Sequence, residues 1–204
     1  MQTKLLVVYY SSTGANYQLA EWAKEAGEAA GAEVRVRKVQ ELAPDVAIDS
    51  NPAWRKHVDA TQSIEVATTE DLLWADSIVF SSPSRFGTMA SQMKQFIDLQ
   101  GGAWAQGKLA NKFVTAFSSA QNPNGGQEQV IQGIYTVMQH WGTVIVPAGY
   151  VNMSTFGAGG NPYGTSATVN QEAEIVNAEQ VAVAAKDQVT RLVQITEAYL
   201  KGSN

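Results

Sequence analysis

Residues 5–16, LLVVYYSSTGAN, constrain this chain more than any other stretch. An apolar run of branched and aromatic residues halts at Ser11, Ser12, Thr13 and Gly14, and a helical pattern opens directly afterwards at Ala15 and Asn16. A continuous apolar run without alternation suits a strand covered on both faces, as in a parallel sheet. A buried strand that ends in a hydroxyl-rich loop and opens a helix is a phosphate cradle. The helix N-terminus offers unpaired N–H groups and the positive end of its dipole. The three hydroxyls add donors, and Gly14 lets the backbone come close. The loop holds no lysine, which fits a phosphate ester of low charge better than a triphosphate with its metal.

Similar apolar runs recur at residues 78–80, 113–117 and 144–148. Residues 33–39 differ, because Val34 and Val36 alternate with Arg35 and Arg37. That alternation predicts an edge strand with one wet face. Helical spacing separates these strands. Leu19, Trp22, Ala23, Ala26 and Ala30 form one pattern before Gly31. Met89, Met93, Phe96 and Ile97 form a second, and Val130, Ile134, Val137, Met138 and Trp141 a third that stops at Gly142. Ile175, Ala178, Ala182, Ala185, Val189, Leu192 and Tyr199 form a long last helix, with Thr168 or Asn170 near its start. The polar stretch 44–69 predicts a loop with a helical turn, followed by a helix over about 69–74. Trp54 and His57 within it read as solvated.

Strand–helix alternation predicts an α/β doubly wound sheet: five parallel strands with helices on both faces. The glycine fingerprint of the dinucleotide order is missing after the first strand. The flavodoxin-like order 2-1-3-4-5 places the Val/Arg strand at an edge, as its pattern requires. A single domain over 1–204 is expected, with inserts near 100–112 and 153–169. The net charge of −5 argues against a nucleic-acid partner, which needs clustered Lys and Arg. No apolar run approaches the ~20 residues of a membrane span. The opening segment has no secretory pattern, and the chain has no cysteine, so cytoplasmic localisation is expected. A charged fraction of only 16% points to surface covered by sister subunits.

In the 2-1-3-4-5 order, three strand-end loops meet. They are residues 11–16, residues 82–87 (SPSRFG) and residues 118–126 (SSAQNPNGG). Together they offer hydroxyls, amides, free backbone, one arginine and one phenylalanine, and no carboxylate. That composition suits a flat heteroaromatic ring held by backbone and amides, with its phosphate in the first loop.

Several longer motifs carry a resemblance: YYSSTG at 9–14, PSRFG at 83–87, MKQFIDLQGGAWAQGKL at 93–109, FSS at 117–119, GGQEQ at 125–129, HWGTVIVPAGY at 140–150 and NPYG at 161–164. In this order and spacing the chain resembles the WrbA family of flavodoxin-like NAD(P)H:quinone oxidoreductases along nearly its whole length. The resemblance implies FMN as cofactor, NADH or NADPH as hydride donor, two-electron reduction of a quinone in ping-pong fashion, and a homotetramer or dimer. Carried onto this sequence, it assigns the FMN phosphate to Ser11, Ser12, Thr13, Gly14, Ala15 and Asn16. The ring falls to Pro83, Ser84, Arg85, Phe86 and Gly87, with Ser118, Ser119, Ala120, Gln121, Asn122, Gly125 and Gly126 on the third loop. Trp104, Phe86 and His140 would border the substrate, and His140 would hydrogen-bond or protonate a quinone oxygen. Arg85 would place positive charge near the flavin and raise its potential.

This sequence departs from the family pattern in places. Position 13 is threonine where an aromatic is frequent, Ala15 and Asn16 replace a histidine and an apolar residue, Ser84 replaces a threonine, and the third loop is longer. A flavodoxin-type one-electron carrier without its own substrate is the alternative. The modest charge and the inserts weigh against it. No metal site is expected.

Overall fold

The computed structural model describes residues 2–202. The first half of the chain runs β1 (Lys4–Tyr9), α1 (Ala15–Ala29), β2 (Glu33–Lys38), α2 (Asp45–Asp49), α3 (Pro52–Ala60), α4 (Thr69–Trp74), β3 (Ser77–Arg85) and β4 (Thr88–Met89). The second half runs α5 (Ser91–Asp98), α6 (Gly101–Ala105), β5 (Phe113–Ala120), α7 (Gln127–Trp141), β6 (Val144–Ile145), α8 (Ser154–Gly157), β7 (Ser166–Thr168) and α9 (Ala178–Gly202). The sheet order is β2-β1-β3-β5-β6, parallel throughout, with β4 antiparallel on β3 and β7 parallel on β5. With the short β4 set aside, this is the expected 2-1-3-4-5 order, and the Val/Arg strand β2 lies at the edge.

Strand pleating divides the apolar residues of β1 between two cores. Leu6, Val8 and Tyr10 join Leu72, Met93, Phe96, Ile131, Ile134 and Met138 on one face. Leu5, Val7 and Tyr9 join Leu19, Ala23, Val181, Val189 and Leu192 on the other. Each fully buried Leu or Ile there contributes roughly 1.5–3 kcal/mol, so both faces hold β1 in register.

The fifth position in the sheet is filled by two short strands. β6 pairs with the start of β5 at Phe113 and Val114, and β7 pairs with its end from Ser118 to Ala120. Residues 146–165 loop out between them. Gln188 of α9 fills the gap: its Oε1 accepts from the N–H and hydroxyl of Thr165, both at 2.8 Å, and its Nε2 donates to Thr115 Oγ1 at 2.6 Å. A buried break in a ladder leaves polar groups that need partners, and one amide side chain supplies them.

Four local expectations are corrected. Met89 lies in β4, because the second helix starts only at Ser91. Thr168 belongs to β7, and Asn170 and Ile175 precede the last helix, which starts at Ala178. The strand expected over 144–148 is regular only over Val144–Ile145. Residues 44–60 form two helices; Asn51 caps α3 by accepting from Ala53 and Trp54, with Pro52 at its first position. The Asn-Pro pair was the missed signal.

Candidate active site

β1, β3 and β5 are parallel neighbours, so their carboxyl ends deliver three loops to one edge of the sheet. Two helices also begin at that edge. α1 starts after Gly14 (φ 109°) and α7 after Gly126 (φ 85°), and neither has a side-chain cap. α3 and α4 in the same chain are capped by Asn51 and Thr68. The first-turn N–H groups of α1 are therefore left for a ligand. Ser11 Oγ folds back to accept from the Gly14 N–H at 3.0 Å, which fixes the loop's curvature.

The loops are locked to one another below the surface. Asn16, 1% exposed, donates from Nδ2 to Ser81 Oγ on β3 at 3.0 Å and accepts from Ser119 Oγ on β5. Ser84 Oγ donates to the Gly125 carbonyl and accepts from the Gly87 N–H at 3.2 Å. A Cβ on Gly126 would stand 2.6 Å from Gly87 Cα, so the second and third loops touch backbone to backbone. The two loops form a continuous backbone floor there.

These contacts sort the predicted residues. Ser12, Thr13, Gly14, Ser84, Arg85, Phe86, Gly87, Gln121, Asn122, Gly125 and Gly126 reach the surface of the loops, and Ala15 is buried at the start of α1. Pro83, Ser118, Ser119 and the side chain of Asn16 are buried in the sheet and act as supports. Ala120 is half-buried, and its carbonyl accepts from Val169. Arg85 differs from expectation: its Nη2 donates to Ser12 Oγ at 3.1 Å, which brings the guanidinium to the first loop. Phe86 is fully exposed at φ 54°, a strained conformation for a bulky residue.

Trp104 and His140 do not join the loops within one chain. His140 lies in the last turn of α7, whose first turn follows the third loop, about 20 Å from Gln127 at 1.5 Å per residue. Trp104, 52% exposed, donates from Nε1 to the His140 carbonyl at 2.8 Å, so the two share the opposite edge of the sheet.

Glu41 and His57, outside the expected set, line a cavity together with Ser11 of the first loop. Glu41 accepts from Tyr10 Oη (3.0 Å), Trp54 Nε1 (3.1 Å), Gln92 Nε2 (2.8 Å) and the N–H groups of Leu42 (2.9 Å) and Ala43 (3.0 Å). Burial, and then Glu41, raise the Tyr10 phenol well above its usual range. Trp54 and His57 are half-buried, contrary to the solvated reading. Only the structure of α3 reveals this, since the polar stretch shows no periodicity.

The residues fit a phosphorylated flat ring. Unpaired N–H groups, hydroxyls and one guanidinium meet at the first loop, and a floor of backbone without carboxylates continues beside it. Among the described residues no cluster of three His, Cys, Asp or Glu could hold a metal, and no helix is long and apolar enough to cross a membrane.

The chain matches the model of the NADPH-dependent FMN reductase family over residues 3–158. It is 50% identical over 193 residues to the NAD(P)H dehydrogenase (quinone) of Deinococcus radiodurans, covering 95% of each chain. It is 41% identical over 167 residues to the protein of that name from Sinorhizobium fredii, covering 80% of this chain and 81% of the relative. Among solved structures, the flavodoxin, WrbA-like protein from Agrobacterium tumefaciens superposes with a TM-score of 0.63 at 18% identity, over 97% of this chain and 99% of that one. A flavodoxin from the domain Archaea superposes with a TM-score of 0.56 at 16% identity, over 93% and 99%. Both likenesses are of fold.

Proposed function

The chain belongs to the NADPH-dependent FMN reductase family, and we propose that it is an FMN-dependent NAD(P)H:quinone oxidoreductase of the WrbA type. The observation that carries this reading is the uncapped N-terminus of α1 beside the joined floor of the second and third loops. FMN, when bound, supplies hydride acceptance from the nicotinamide and two-electron delivery to the quinone. The chain's own residues bind and orient. The N–H groups of Ala15 and Asn16 and the hydroxyls of Ser12 and Thr13 hold the phosphate, with Arg85 as its counter-charge. Ser84, Gly87, Gly125 and Gly126 set the plane of the floor on which the ring rests. Phe86 covers an edge of the substrate space.

Trp104 and His140 complete the substrate side from a second copy of the chain, in a homotetramer or dimer. Exposed apolar side chains favour such an assembly: Leu99 and Trp104 near one edge, and Tyr150, Val151, Met153 and Phe156 on the loop between β6 and β7. The rings of Tyr150 and Phe156 stack at 4.8 Å, which presents them as one flat patch. The reading treats residues 1–204 as one FMN-binding domain working in the cytoplasm.

The test is anaerobic mixing of the FMN-loaded protein with NADH or NADPH, followed by benzoquinone. Bleaching of the visible flavin absorbance by either nicotinamide, restored by the quinone, is the expected result. A loaded protein that neither nicotinamide reduces would instead be a one-electron carrier.

A further inference from the structure

His57 is held against the first loop by a rigid helix. Asn51 caps α3, and Arg55 on the same helix bridges Asp45 at 2.8 Å, Asp49 at 2.6 Å and Asp59 at 3.6 Å. The imidazole Nδ1 lies 3.8 Å from where a Cβ on Gly14 would stand, at the residue that opens α1. The ring packs against Tyr17 in the first turn of α1, with centroids 5.7 Å apart. Neither ring nitrogen has a hydrogen-bond partner among the described residues. A cavity of about 460 Å³, lined by Ser11, Lys38, Glu41, His57, Val58 and Ile64, leaves the ring room to turn.

We propose that His57 hydrogen-bonds the phosphate of FMN seated on the first loop and takes up a proton as it does so. The proposal rests on the reading that this loop holds that phosphate. A phosphate monoester carries between one and two negative charges near neutral pH. The loop meets it with neutral donors, the partial charge of one helix dipole and Arg85, whose guanidinium is at Ser12. A second cation at Gly14 supplies the missing charge.

The groups that face the imidazole are Lys38 from β2, Glu41 after it, Tyr9 from β1, Tyr10 after it, Tyr17 from α1, and Glu65 after α3, with Glu21 beside Tyr17. Arg55 and Lys56 are its charged neighbours on α3. Glu41 is occupied by five donors, and Glu65 pairs with Arg37 at 2.7 Å. In the free chain, burial and then Lys38 pull His57 down to about 4, with Glu41 opposing, so the ring is neutral near pH 7. An anion within hydrogen-bond reach favours the charged form. Between the free and the bound midpoints the complex therefore binds up to one more proton than its parts. FMN affinity rises as the pH falls through the midpoint of the bound state, and is level above it.

The chain has two histidines, so imidazole NMR gives two titration curves, and His57→Gln identifies which is which. Curves are recorded for the free chain, with FMN, and with riboflavin, which lacks the phosphate. The expected result is a His57 midpoint raised by about two to three units with FMN, enough to charge the ring near pH 6.5, and unmoved by riboflavin. His57→Gln should also weaken FMN binding about tenfold, read by flavin fluorescence at about pH 6.5, and leave riboflavin binding unchanged. A midpoint moved no further by FMN than by riboflavin, while fluorescence shows FMN bound, overturns the proposal alone. Failure of the parent chain to bind FMN overturns the site reading and the proposal together.

Discussion

Replacing Asn16 with alanine removes a side chain that ties the roots of the site loops together. Its Nδ2 donates to Ser81 Oγ at 3.0 Å and its Oδ1 accepts from Ser119 Oγ. Asn16, Ser81 and Ser119 are 1%, 0% and 3% exposed, so water replaces none of these bonds without rearrangement. Two net hydrogen bonds are worth about 2 kcal/mol. Ser81 keeps a partner, because its hydroxyl also donates to the Asn16 carbonyl at 3.4 Å. Ser119 keeps none, and a stranded buried hydroxyl adds about 1–2 kcal/mol. The sum is about 3–4 kcal/mol, a fall in Tm of roughly 6–16 °C for a chain of this size. The assay is urea unfolding of the FMN-free protein, with Ser12→Ala as the control. Ser12 bonds only the exposed Arg85, and its loss should stay within about 0.5 kcal/mol. An Asn16→Ala loss below about 1 kcal/mol at an unchanged m-value would show that the serines re-pair among themselves, and would refute the tie.

Three further outcomes are expected. Gly126→Ala sets a Cβ 2.6 Å from Gly87 Cα at a φ of 85°, so stability should fall by about 1–2 kcal/mol and FMN affinity should fall with it in a fluorescence titration; unchanged affinity would show that the loops need not touch. Arg85→Ala should weaken FMN binding about tenfold and spare riboflavin, whereas an equal loss for both would return the guanidinium to the ring. Burial works against the charge of the Asp71 carboxyl, but Thr68, Arg37 and Arg35 outweigh it and hold its pKa below the ordinary value. That stabilisation is present above the ordinary carboxylate range and is lost as the pH falls through the depressed midpoint. Asp71→Asn should therefore cost about 2 kcal/mol near neutral pH and flatten the acid limb of a stability–pH curve below about pH 4.

Elements with strong period or strong punctuation were legible in the sequence. The Val/Arg alternation of β2 placed it at the edge, and Gly142 ended α7 where the pattern stopped. Elements set by tertiary pairing were not. Met89 has helical spacing from Met93 but is drawn into β4 by Arg85 and Thr88 pairing across a tight turn. β7 carries only Ser166, Ala167 and Thr168, and is a strand because the end of β5 needs a neighbour. The site divides in the same way. Loop composition located the three loops, but it could not separate Ser12, which faces out, from Ser119, which supports Asn16 from within. Nor could it show that His140 stands a helix length from Gly126, because distance along α7 is invisible to motif order.

The distribution of ionisable groups follows from this arrangement. Arg85, His57, Lys38 and Glu41 gather around the first loop and the exit of β2. The floor made by Ser84, Gly87, Gly125 and Gly126 holds no titratable side chain. On the proposed reading, the end assigned to the phosphate is tuned by charge, and the end assigned to the ring is tuned by backbone position and by what covers it. The two ends answer to different substitutions. Changes at His57 or Arg85 should move cofactor retention with its pH and salt dependence, since they alter a charge balance. Changes at Trp104 should move substrate affinity and subunit assembly and leave FMN retention alone, since that residue is a helix length away in its own chain. A substitution at Trp104 that released FMN from an intact assembly would contradict this separation.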